Sequence, residues 1–529
     1  MQIKRLRVDN HKCLVDFDIR FHAVQGGSST VLIGENGSGK STFLDTLITI
    51  FMSFDSESVE KEIDYNYELE YFYAGSLITI RQENKRYLIL INHREICTGV
   101  RETILNNLAR LHISIFPSRI ISFYSGANNH SRSALRRIDI AYANECRDTL
   151  RRYRNTLVHG AYFEGDYPWR KYIYNSESLT DIYAICILAG QPSYEQNYLR
   201  DSCHLRGIDH IDFSISCRKL EMIFHHEIND DDSLKALMNP FVEFTDSHFL
   251  HMINRGFAYC DGYRAYYSIP TPEHIGLTAN ALYNFFEKFQ TLLDAEFRVY
   301  LDTDGGSIQC TDLSEGQRQI IKILGMLGVC KTEDCLVLMD EPDAHMNPKW
   351  KYDLKSTIDR SLEGAINTQA IIATHDPLVI NGVEKEFIRI FRFNQAILNN
   401  NRVYSTQVIE PQEDTAGLGI DGLLQSEYYG LPTSLDKKTK QKVNDKRDLL
   451  VKKKEGTITI LERQRLKDLT EEIESLTFTR NIPTDDLYDE YVATMHQFYV
   501  NQPQTTLSAD DIATRNAKVE EILRELMDR

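Results

Sequence analysis

The sequence VLIGENGSGKSTF, residues 31 to 43, decides the fold of this chain. It begins with an apolar run typical of the end of a buried strand, and continues as the pattern G-x-x-x-x-G-K-S/T, which opens a helix. Glycines let backbone N–H groups curl around phosphate oxygens, and the free N–H groups of the helix point at the same phosphates. The pattern predicts a phosphate-binding loop made of Gly34, Glu35, Asn36, Gly37, Ser38, Gly39, Lys40, Ser41 and Thr42.

Two side chains of this loop carry specific chemistry. Lys40 would reach the β- and γ-phosphates of a nucleotide, and Ser41 would offer its hydroxyl to Mg²⁺. The alternative is a chance glycine-rich turn before a helix. The apolar strand that precedes the loop argues against that alternative.

The composition describes a globular chain without a general affinity for nucleic acid. Its 529 residues suit several domains, 42% of them are apolar, and the formal charge of −17 argues against a basic footprint over the whole surface. Two local basic patches are still candidates for binding nucleic acid: seven arginines over 132–154 and nine basic residues over 437–454. Such runs are more often solvated helix faces. Long apolar runs are absent and the ten cysteines form no C-x-x-C pair, which predicts a cytoplasmic protein with free thiols and no membrane partner.

Changes in periodicity divide the chain into four segments. Residues 1–98 alternate as strands around the phosphate loop and form an N-terminal lobe. Residues 99–296 read as a helical insertion or arm without a long coiled coil. Residues 297–425 return to buried strands, and residues 426–529 read as a helical docking region. The predicted fold class is α/β: a head with a mixed sheet around the phosphate loop and an antiparallel β lobe, an inserted helical subdomain and a helical C-terminal region.

Two buried strands in the third segment end in polar residues that suit nucleotide chemistry. Residues 335–339 precede Asp340 and Glu341, and residues 370–374 precede His375. Because the carboxyl ends of parallel strands gather ligands in α/β sheets, we expect these side chains to meet the loop. Asp340 would hold the Mg²⁺ water shell, Glu341 would polarise the attacking water, and His375 would contact the γ-phosphate. The predicted catalytic residues are Glu341, His375 and Lys40, and the predicted Mg²⁺ ligands are Ser41 and Asp340.

The segment LSEGQRQ, residues 313 to 319, precedes an apolar helix and resembles the signature motif of ABC-type ATPases. In that class the motif caps the γ-phosphate of an ATP bound to the other subunit. The resemblance therefore implies ATP as the nucleotide and a homodimer, or a higher homo-oligomer, that closes head-to-tail around two ATP molecules. The residues implied to act across this interface are Ser314, Gly316, Gln317 and, in a D-loop-like segment, Asp343.

The order of five segments narrows the class: VDNHKCLVDF, GENGSGKST, LSEGQ, DEPDAHMNP and THDP. This order resembles that of the non-transporter branch of the class, which contains the SMC, RecF and OLD relatives. In that branch a basic residue after the first strand touches nucleotide, and Lys12 is the matching position.

No glutamine lies in FYSG, residues 123–126, where other ABC ATPases place a Mg²⁺-binding glutamine, so Ser125 or Gln82 would substitute. Asn347 stands where relatives often have histidine, and we expect slow or gated hydrolysis.

Within that branch the chain is similar to the PtuA family of Septu phage-defence systems and of retrons. The shared features are a short arm in place of a coiled coil, the FYSG segment, an apolar helix at 183–188, and GLPTSLDKKT before a helical hairpin. The resemblance implies an ATPase that hydrolyses ATP and regulates a separate HNH-type nuclease in antiviral defence. Further partners consistent with the resemblance are a retron reverse transcriptase with its RNA–DNA hybrid, or DNA or RNA alone.

Two other functions stay open. A RecF- or SMC-like ATPase of DNA repair or chromosome maintenance would carry the same motifs and bind DNA. The second is an HEPN-like ribonuclease, because Arg154 and His159 match the R-x4-H pattern on a helix. The pattern is short and easily met by chance in an arginine-rich helix. A salt-bridged arginine beside a partly buried histidine is the simpler interpretation.

Overall fold

The computed structural model describes most of the chain. The described residues are 1–22, 24, 26–55, 63–125, 132–158, 170–174, 176–219, 257–270, 277–398, 401–431, 433, 435–454, 456–474, 514, 517–519, 521, 522 and 524. They belong to two compact units, Met1–Gln412 and Glu413–Arg529.

The strands of the first unit form three sheets. In chain order they are β1 (Gln2–His11), β2 (Leu14–Arg20), β3 (Ser28–Gly34), β4 (Tyr67–Tyr73), β5 (Ser76–Glu83), β6 (Arg86–Ile91), β7 (Arg94–Gly99), β8 (Arg119–Tyr124), β9 (Tyr172–Tyr174), β10 (Leu205–Ser216), β11 (Phe257–Cys260), β12 (Arg264–Pro270), β13 (Glu296–Thr303), β14 (Gly306–Gln309), β15 (Cys335–Asp340), β16 (Gln369–Thr374), β17 (Ile388–Leu398) and β18 (Asn401–Ile409).

The helices lie in both units. Those of the first are α1 (Lys40–Ser53), α2 (Arg101–Arg110), α3 (Arg132–Val158), α4 (Thr180–Leu188), α5 (Tyr194–Cys203), α6 (Ala279–Leu293), α7 (Glu315–Cys330) and α8 (Pro348–Leu362). Those of the second are α9 (Gly419–Gln425), α10 (Lys437–Lys454) and α11 (Ile460–Glu474). Among the helices described here, none has the length and apolar character needed to cross a lipid bilayer.

The seven-stranded sheet carries the phosphate loop. Its order is β18-β17-β3-β16-β15-β8-β9, and its neighbouring strands are parallel except for the β17–β18 hairpin. The strands β3, β15 and β16 are buried almost throughout, which explains their near-continuous apolar sequences. Thr374 of β16 pairs with Ile33 next to Gly34, and Asp340 of β15 pairs with Ala373. The predicted polar strand ends therefore share one edge of the sheet, and the predicted α/β fold class is confirmed.

The second sheet is the antiparallel lobe. Its order is β2-β1-β4-β5-β6-β7, and apolar side chains from its inner face share a core with one face of α1. The alternation predicted over residues 65–92 is confirmed as β4, β5 and β6. The strand β7 was not predicted, because its sequence REICTG alternates weakly and owes its place to pairing with β6.

The segment 99–296 differs from the expected helical insertion. It contains α2 to α6, and α3 occupies the predicted arginine-rich helix, but β8 and β9 join the seven-stranded sheet. The strands β10, β11 and β12 join β13 and β14 in a five-stranded sheet of order β11-β12-β10-β13-β14. The sequence of residues 270–296, with Pro270 and Pro272 at its start, predicts a helix. The observed helix α6 is shorter, since it begins after its N-cap Thr278, and Pro270 still belongs to β12. A short apolar run such as RIISFY in β8 is compatible with a helix or a strand. Its pairing with β15 is what makes this run a strand.

A close crossing of α4 and α7 gives a stability prediction. Gly325 faces Tyr183, whose fully buried ring stacks on Tyr283 with centroids 5.8 Å apart. A Cβ at Gly325 would lie 2.6 Å from Tyr183 Cγ, so alanine forces one helix to move. We expect Gly325→Ala to cost about 1 to 3 kcal/mol through overpacking and to lower the melting temperature.

Gly328 in the same helix is the matched control. Its added Cβ would meet only Ala279 Cβ at 3.4 Å, an ordinary contact. Gly328→Ala should keep or raise the melting temperature, because alanine favours a helix over glycine by about 1 kcal/mol. A Gly325→Ala protein that melts at or above the wild type would contradict the tight crossing.

The sequence of residues 436–476 predicts two helices with a break near 456–457, the first basic and the second richer in acid. The break is confirmed, since α10 ends at Lys454 and α11 begins at Ile460. Lys442 Nζ of α10 lies 3.1 Å from a Glu472 carboxylate oxygen of α11, which joins the two helices. The residues Ser-Ala-Asp-Asp at 508–511 could cap a further helix, which the sequence predicts from Ser508; it falls largely outside the described residues.

Candidate nucleotide site

The predicted phosphate loop lies between β3 and the first turn of α1. Gly34 and Gly39 have positive φ, 150° and 101°, and neither position has room for a side chain. A Cβ at Gly34 would collide with the Phe391 carbonyl oxygen, and one at Gly39 would lie 3.1 Å from Cys13 Sγ. Among the described residues, no group hydrogen-bonds the buried Ser38 hydroxyl, so this donor is available to a ligand in the loop.

Lys40 is folded across the loop. Its Nζ donates hydrogen bonds to the carbonyl oxygens of Gly34 at 2.7 Å and Glu35 at 3.2 Å. Burial lowers the pKa of the Lys40 ammonium, and the nearby charges of Glu341 and Asp340 partly offset this effect. A mostly buried cation held by carbonyl oxygens is well placed to exchange them for phosphate oxygens.

The end of β15 and the end of β16 bring a carboxylate and an imidazole together. His375 Nδ1 lies 2.7 Å from Glu341 Oε2. Glu341 has φ of 52°, a left-handed conformation that is uncommon for non-glycine residues. Burial raises the pKa of the Glu341 carboxyl, and the hydrogen bond with His375 lowers it in part. The pair has the geometry of a base and a group that orients it.

Ser41 and Asp340 offer a donor set that fits Mg²⁺. The Ser41 hydroxyl hydrogen-bonds the Asp340 carboxylate. Burial raises the pKa of the Asp340 carboxyl, and this hydrogen bond partly offsets the rise. Hydroxyl and carboxylate oxygens are the hard ligands that Mg²⁺ prefers, and here they meet beside the loop.

The turn between β1 and β2 lies against the loop. Lys12 occupies this turn with φ of 55° and an exposed side chain. The next residue, Cys13, accepts a hydrogen bond from the Thr406 N–H at 2.8 Å, and the Thr406 hydroxyl donates to the Ser38 carbonyl at 2.9 Å. Lys12 therefore lies next to the loop, and its contact with nucleotide stays a prediction. The role of Thr406 could not be found from the sequence, because 368 residues separate it from Ser38.

The signature residues lie at the start of α7. Ser314 is the N-cap, its Oγ accepts from the Gln317 N–H at 3.3 Å, and Gln317 Oε1 accepts from the Ser314 N–H at 3.1 Å. This reciprocal pair is a capping box. A Cβ at Gly316 would lie 3.1 Å from the His345 carbonyl oxygen, so a larger residue would push this helix end away from the segment after β15. The exposed Ser314 and the helix N–H groups beside it form a surface suited to phosphate.

Asp343 is buried in this chain. The Thr374 hydroxyl hydrogen-bonds its carboxylate, and the side chain is only 2% exposed. Burial raises the pKa of this carboxyl. The action of Asp343 across a dimer interface, implied by the resemblance, stays a prediction. Asn347 is the N-cap of α8, where its Oδ1 accepts from the Trp350 N–H at 2.9 Å.

Ser125 and Gln82, the two candidates to replace the Mg²⁺-binding glutamine, lie in different parts of the fold. The Ser125 N–H donates to the Asp340 carbonyl oxygen at 3.3 Å, so Ser125 follows β8 at the predicted Mg²⁺ site. Gln82 lies on β5 in the antiparallel lobe, and its Nε2 donates to the Ile63 carbonyl oxygen at 3.1 Å. Ser125 is the better placed of the two.

The ribonuclease hypothesis cannot be placed on this structure. His159 lies outside the described residues, and for Arg154 only the helical backbone of α3 is described. The pair stays a prediction from the sequence.

Two family models match parts of the chain. The model described as "AAA ATPase domain" matches residues 1–149, and the model described as "AAA domain, putative AbiEii toxin, Type IV TA system" matches residues 239–381. The first match contains the phosphate loop. The second contains the signature segment and the ends of β15 and β16.

Three curated relatives are similar to parts of the chain. The Septu protein PtuA of Bacillus mycoides (strain KBAB4) is 28% identical over 140 residues, which are 25% of this chain and 18% of that protein. The "Retron Ec83 probable ATPase" of Escherichia coli is 20% identical over 434 residues, 75% of this chain and 72% of that protein. The "Retron Vc95 probable ATPase" of Vibrio cholerae serotype O1 biovar El Tor is 32% identical over 99 residues, 16% and 18% of the two chains. The matches thus span only 18% of two of these relatives.

Solved structures resemble the chain only distantly. An SMC head bound to the C-winged helix domain of ScpA has a TM-score of 0.34 at 12% identity and covers 78% of this chain and 98% of its own. The SMC head domain from Thermotoga maritima has a TM-score of 0.32 at 11% identity, with coverages of 78% and 100%. At these scores the likeness supports no inference about function.

The parallel sheet, its phosphate loop and the polar strand ends form the α/β arrangement that is expected of an ABC-type ATPase head. The sequence matches support the resemblance drawn above: over parts of its length the chain is similar to Septu PtuA and to the retron ATPases, and its first 149 residues match an ATPase domain.

Proposed function

We propose that this chain binds ATP with Mg²⁺ at the phosphate loop and hydrolyses it to ADP and phosphate. The observation that carries the proposal is the convergence of Lys40, Ser41, Asp340, Glu341 and His375 at one edge of the seven-stranded sheet. A cation, two hard oxygen ligands, a carboxylate base and an imidazole are the groups that transfer of a phosphoryl group to water requires.

Each residue has one task in the proposed reaction. Lys40 exchanges its carbonyl partners for β- and γ-phosphate oxygens and offsets their charge. Mg²⁺ held by Ser41 and Asp340 would neutralise further charge on the same oxygens. Glu341 accepts the proton of the attacking water, and the raised pKa of its carboxyl makes it a better base than an ordinary glutamate. His375 orients the Glu341 carboxylate across their 2.7 Å contact and faces the γ-phosphate.

We further propose that two copies close head-to-tail. Ser314, Gly316 and Gln317 would cap the γ-phosphate of the ATP bound by the other copy. The proposal is supported by the exposed N-terminus of α7, where Gln317 Nε2 also donates to the Cys203 carbonyl at 3.3 Å and steadies the helix start. ATP shifts the chain toward the closed form only if it binds that form more tightly, and the contact from the second copy supplies this difference.

The proposed role of the cycle is to control a separate nuclease, of the HNH type, in antiviral defence. The relatedness to Septu PtuA and to retron ATPases supports this role. The nuclease and, in a retron setting, the reverse transcriptase with its RNA–DNA hybrid would be the partners. Purification of the chain from its native operon, followed by the mass of the intact complex, tests the partner. A complex that contains DNA and no nuclease would favour the DNA-repair alternative.

Lys40→Ala tests the nucleotide site itself. Loss of a buried cation that pairs with phosphate costs about 2 to 5 kcal/mol, which corresponds to a roughly 30-fold to several thousandfold weaker affinity. We expect ATP binding, measured by calorimetry on the full chain, to fall by that range while the melting temperature without nucleotide stays close to the wild-type value.

Lys355→Ala is the control for this experiment. Lys355 is also a mostly buried lysine, but it pairs with Asp359 within α8. This variant should bind ATP like the wild type. Wild-type affinity in Lys40→Ala would overturn the proposed site.

A further inference from the structure

The order of the strands indicates in which direction a nucleotide bound at the loop extends. On one side of β3 lie β16 and β15, which carry His375 and Glu341, and on the other side lie β17 and β18. An elongated nucleotide whose γ-phosphate meets Glu341 must extend its nucleoside away from β16 and β15. The nucleoside therefore leaves the loop on the side of the β17–β18 hairpin and the β1–β2 turn.

On that side of β3, the β17–β18 hairpin continues beyond the carboxyl end of β3. Phe391 pairs with Gly34 at the end of β3, so the next residues of β17 run alongside the loop. Thr406 of β18 is opposite Phe393, and its hydroxyl donates to the Ser38 carbonyl oxygen. Because opposite residues of antiparallel strands share one face, Phe393 lies on the face that contacts the loop.

Two aromatic side chains form an exposed ledge on this face. Tyr404 lies two residues before Thr406 and so shares its face. The rings of Phe393 and Tyr404 stack with centroids 5.2 Å apart and planes 19° from parallel. Phe393 is 47% exposed and Tyr404 is 42% exposed, although each ring is large and apolar. Two half-exposed rings beside a phosphate loop are placed to accept a flat apolar ligand.

We propose that Phe393 and Tyr404 are the nucleobase platform of the site, an inference that rests on the proposed binding of ATP at the loop. The base stacks on the exposed ring face while the loop holds the phosphates. Stacking uses the π-face that every base has, so the ledge adds affinity for a nucleotide over a bare polyphosphate. The hydrogen bonds from Thr406 to the Ser38 carbonyl and to the Cys13 carbonyl fix the ledge relative to the loop.

Titrations with ATP and with inorganic tripolyphosphate, which has no base, test the platform. In Phe393→Ala and Tyr404→Ala the affinity for ATP should fall by about tenfold, the usual effect of removing one stacking partner. The affinity for tripolyphosphate should not change. Phe393→Tyr and Tyr404→Phe should retain the wild-type affinity for ATP, because both keep a ring.

Tyr263→Ala is the control for loss of an exposed aromatic residue. Tyr263 is 83% exposed in the turn between β11 and β12 and belongs to a different sheet, so its removal should change neither affinity. If Phe393→Ala lowers the affinity for ATP and the affinity for tripolyphosphate equally, the hairpin only shapes the loop and the proposed platform is wrong. Wild-type ATP affinity in both alanine variants, or a change of oligomeric state without a change of affinity, also overturns it.

The same titrations separate this inference from the proposed function. If Lys40→Ala loses both ligands while the ledge variants behave like the wild type, the nucleotide site stands and the platform alone falls. If the wild type binds neither ATP nor tripolyphosphate, the proposed function fails and the platform fails with it.

Discussion

Replacing Glu341 with glutamine is expected to lower ATP turnover by about 10² to 10⁴-fold, the usual contribution of a general base, while ATP affinity is retained. Glutamine has nearly the shape of glutamate and can still contact His375, but its amide cannot accept the proton of the attacking water. ATP therefore stays intact in the site. Phosphate release measures the loss of turnover, and sedimentation with ATP should show the variant accumulating as closed dimers.

The dependence of turnover on pH gives an independent check. Glu341 must be ionised to act as a base, and burial raises the pKa of its carboxyl. Turnover should therefore fall, as the pH is lowered, at a higher pH than an ordinary glutamate would give. The residual turnover of Glu341→Gln should lack this step.

Glu363→Gln is the matched control, because Glu363 is an exposed glutamate at the end of α8. It should turn over ATP at the wild-type rate and with the wild-type pH profile. A Glu341→Gln protein that hydrolyses ATP normally would mean that another residue is the base, and the proposed assignment would be abandoned.

Replacing Ser314 with arginine is expected to abolish the ATP-dependent dimer while ATP binding persists. The proposed ATP site of one chain is built from β3, α1, β15 and β16, so a change at the start of α7 should leave it intact. The bulky cation instead fills the exposed surface proposed to meet the second copy. Turnover should fall with dimerisation, because the closed site would no longer form. Calorimetry measures the retained binding, and sedimentation measures the lost dimer.

Ser314→Thr is the control for this variant, since threonine keeps the hydroxyl and still caps a helix. Ser314→Arg also removes the capping box with Gln317, which costs about 1 kcal/mol, so melting temperatures must accompany the measurement. The decisive comparison uses the double variant Glu341→Gln with Ser314→Arg. If it dimerises with ATP as readily as Glu341→Gln alone, the two residues do not share one site across the dimer.

Much of the site could be predicted because its signals are short in sequence. The loop from Gly34 to Thr42 is nine consecutive residues, and its glycines, lysine and serine have fixed tasks around phosphate. The carboxylate and imidazole after two buried strands were predicted from one rule about parallel sheets, and they lie 2.7 Å apart.

Other features of the site carried no usable signal. Thr406 touches the loop from 368 residues away, and the carbonyl of Phe391 makes glycine necessary at position 34. The burial of the Asp343 carboxylate beside Thr374 also carried no signal in the sequence. Each of these contacts depends on which strands become neighbours.

The sequence by itself determined the glycine-rich loop with its lysine and serine, and the alternation of the antiparallel lobe, because these depend on residues a few positions apart. The tertiary structure alone decided that β8 and β9 join the central sheet, and that β17 and β18 place two aromatic rings beside the loop. Short apolar runs are compatible with several partners. Which pairing forms is set by the summed burial and hydrogen bonding of segments far apart in the chain, and that sum exists only in the folded molecule.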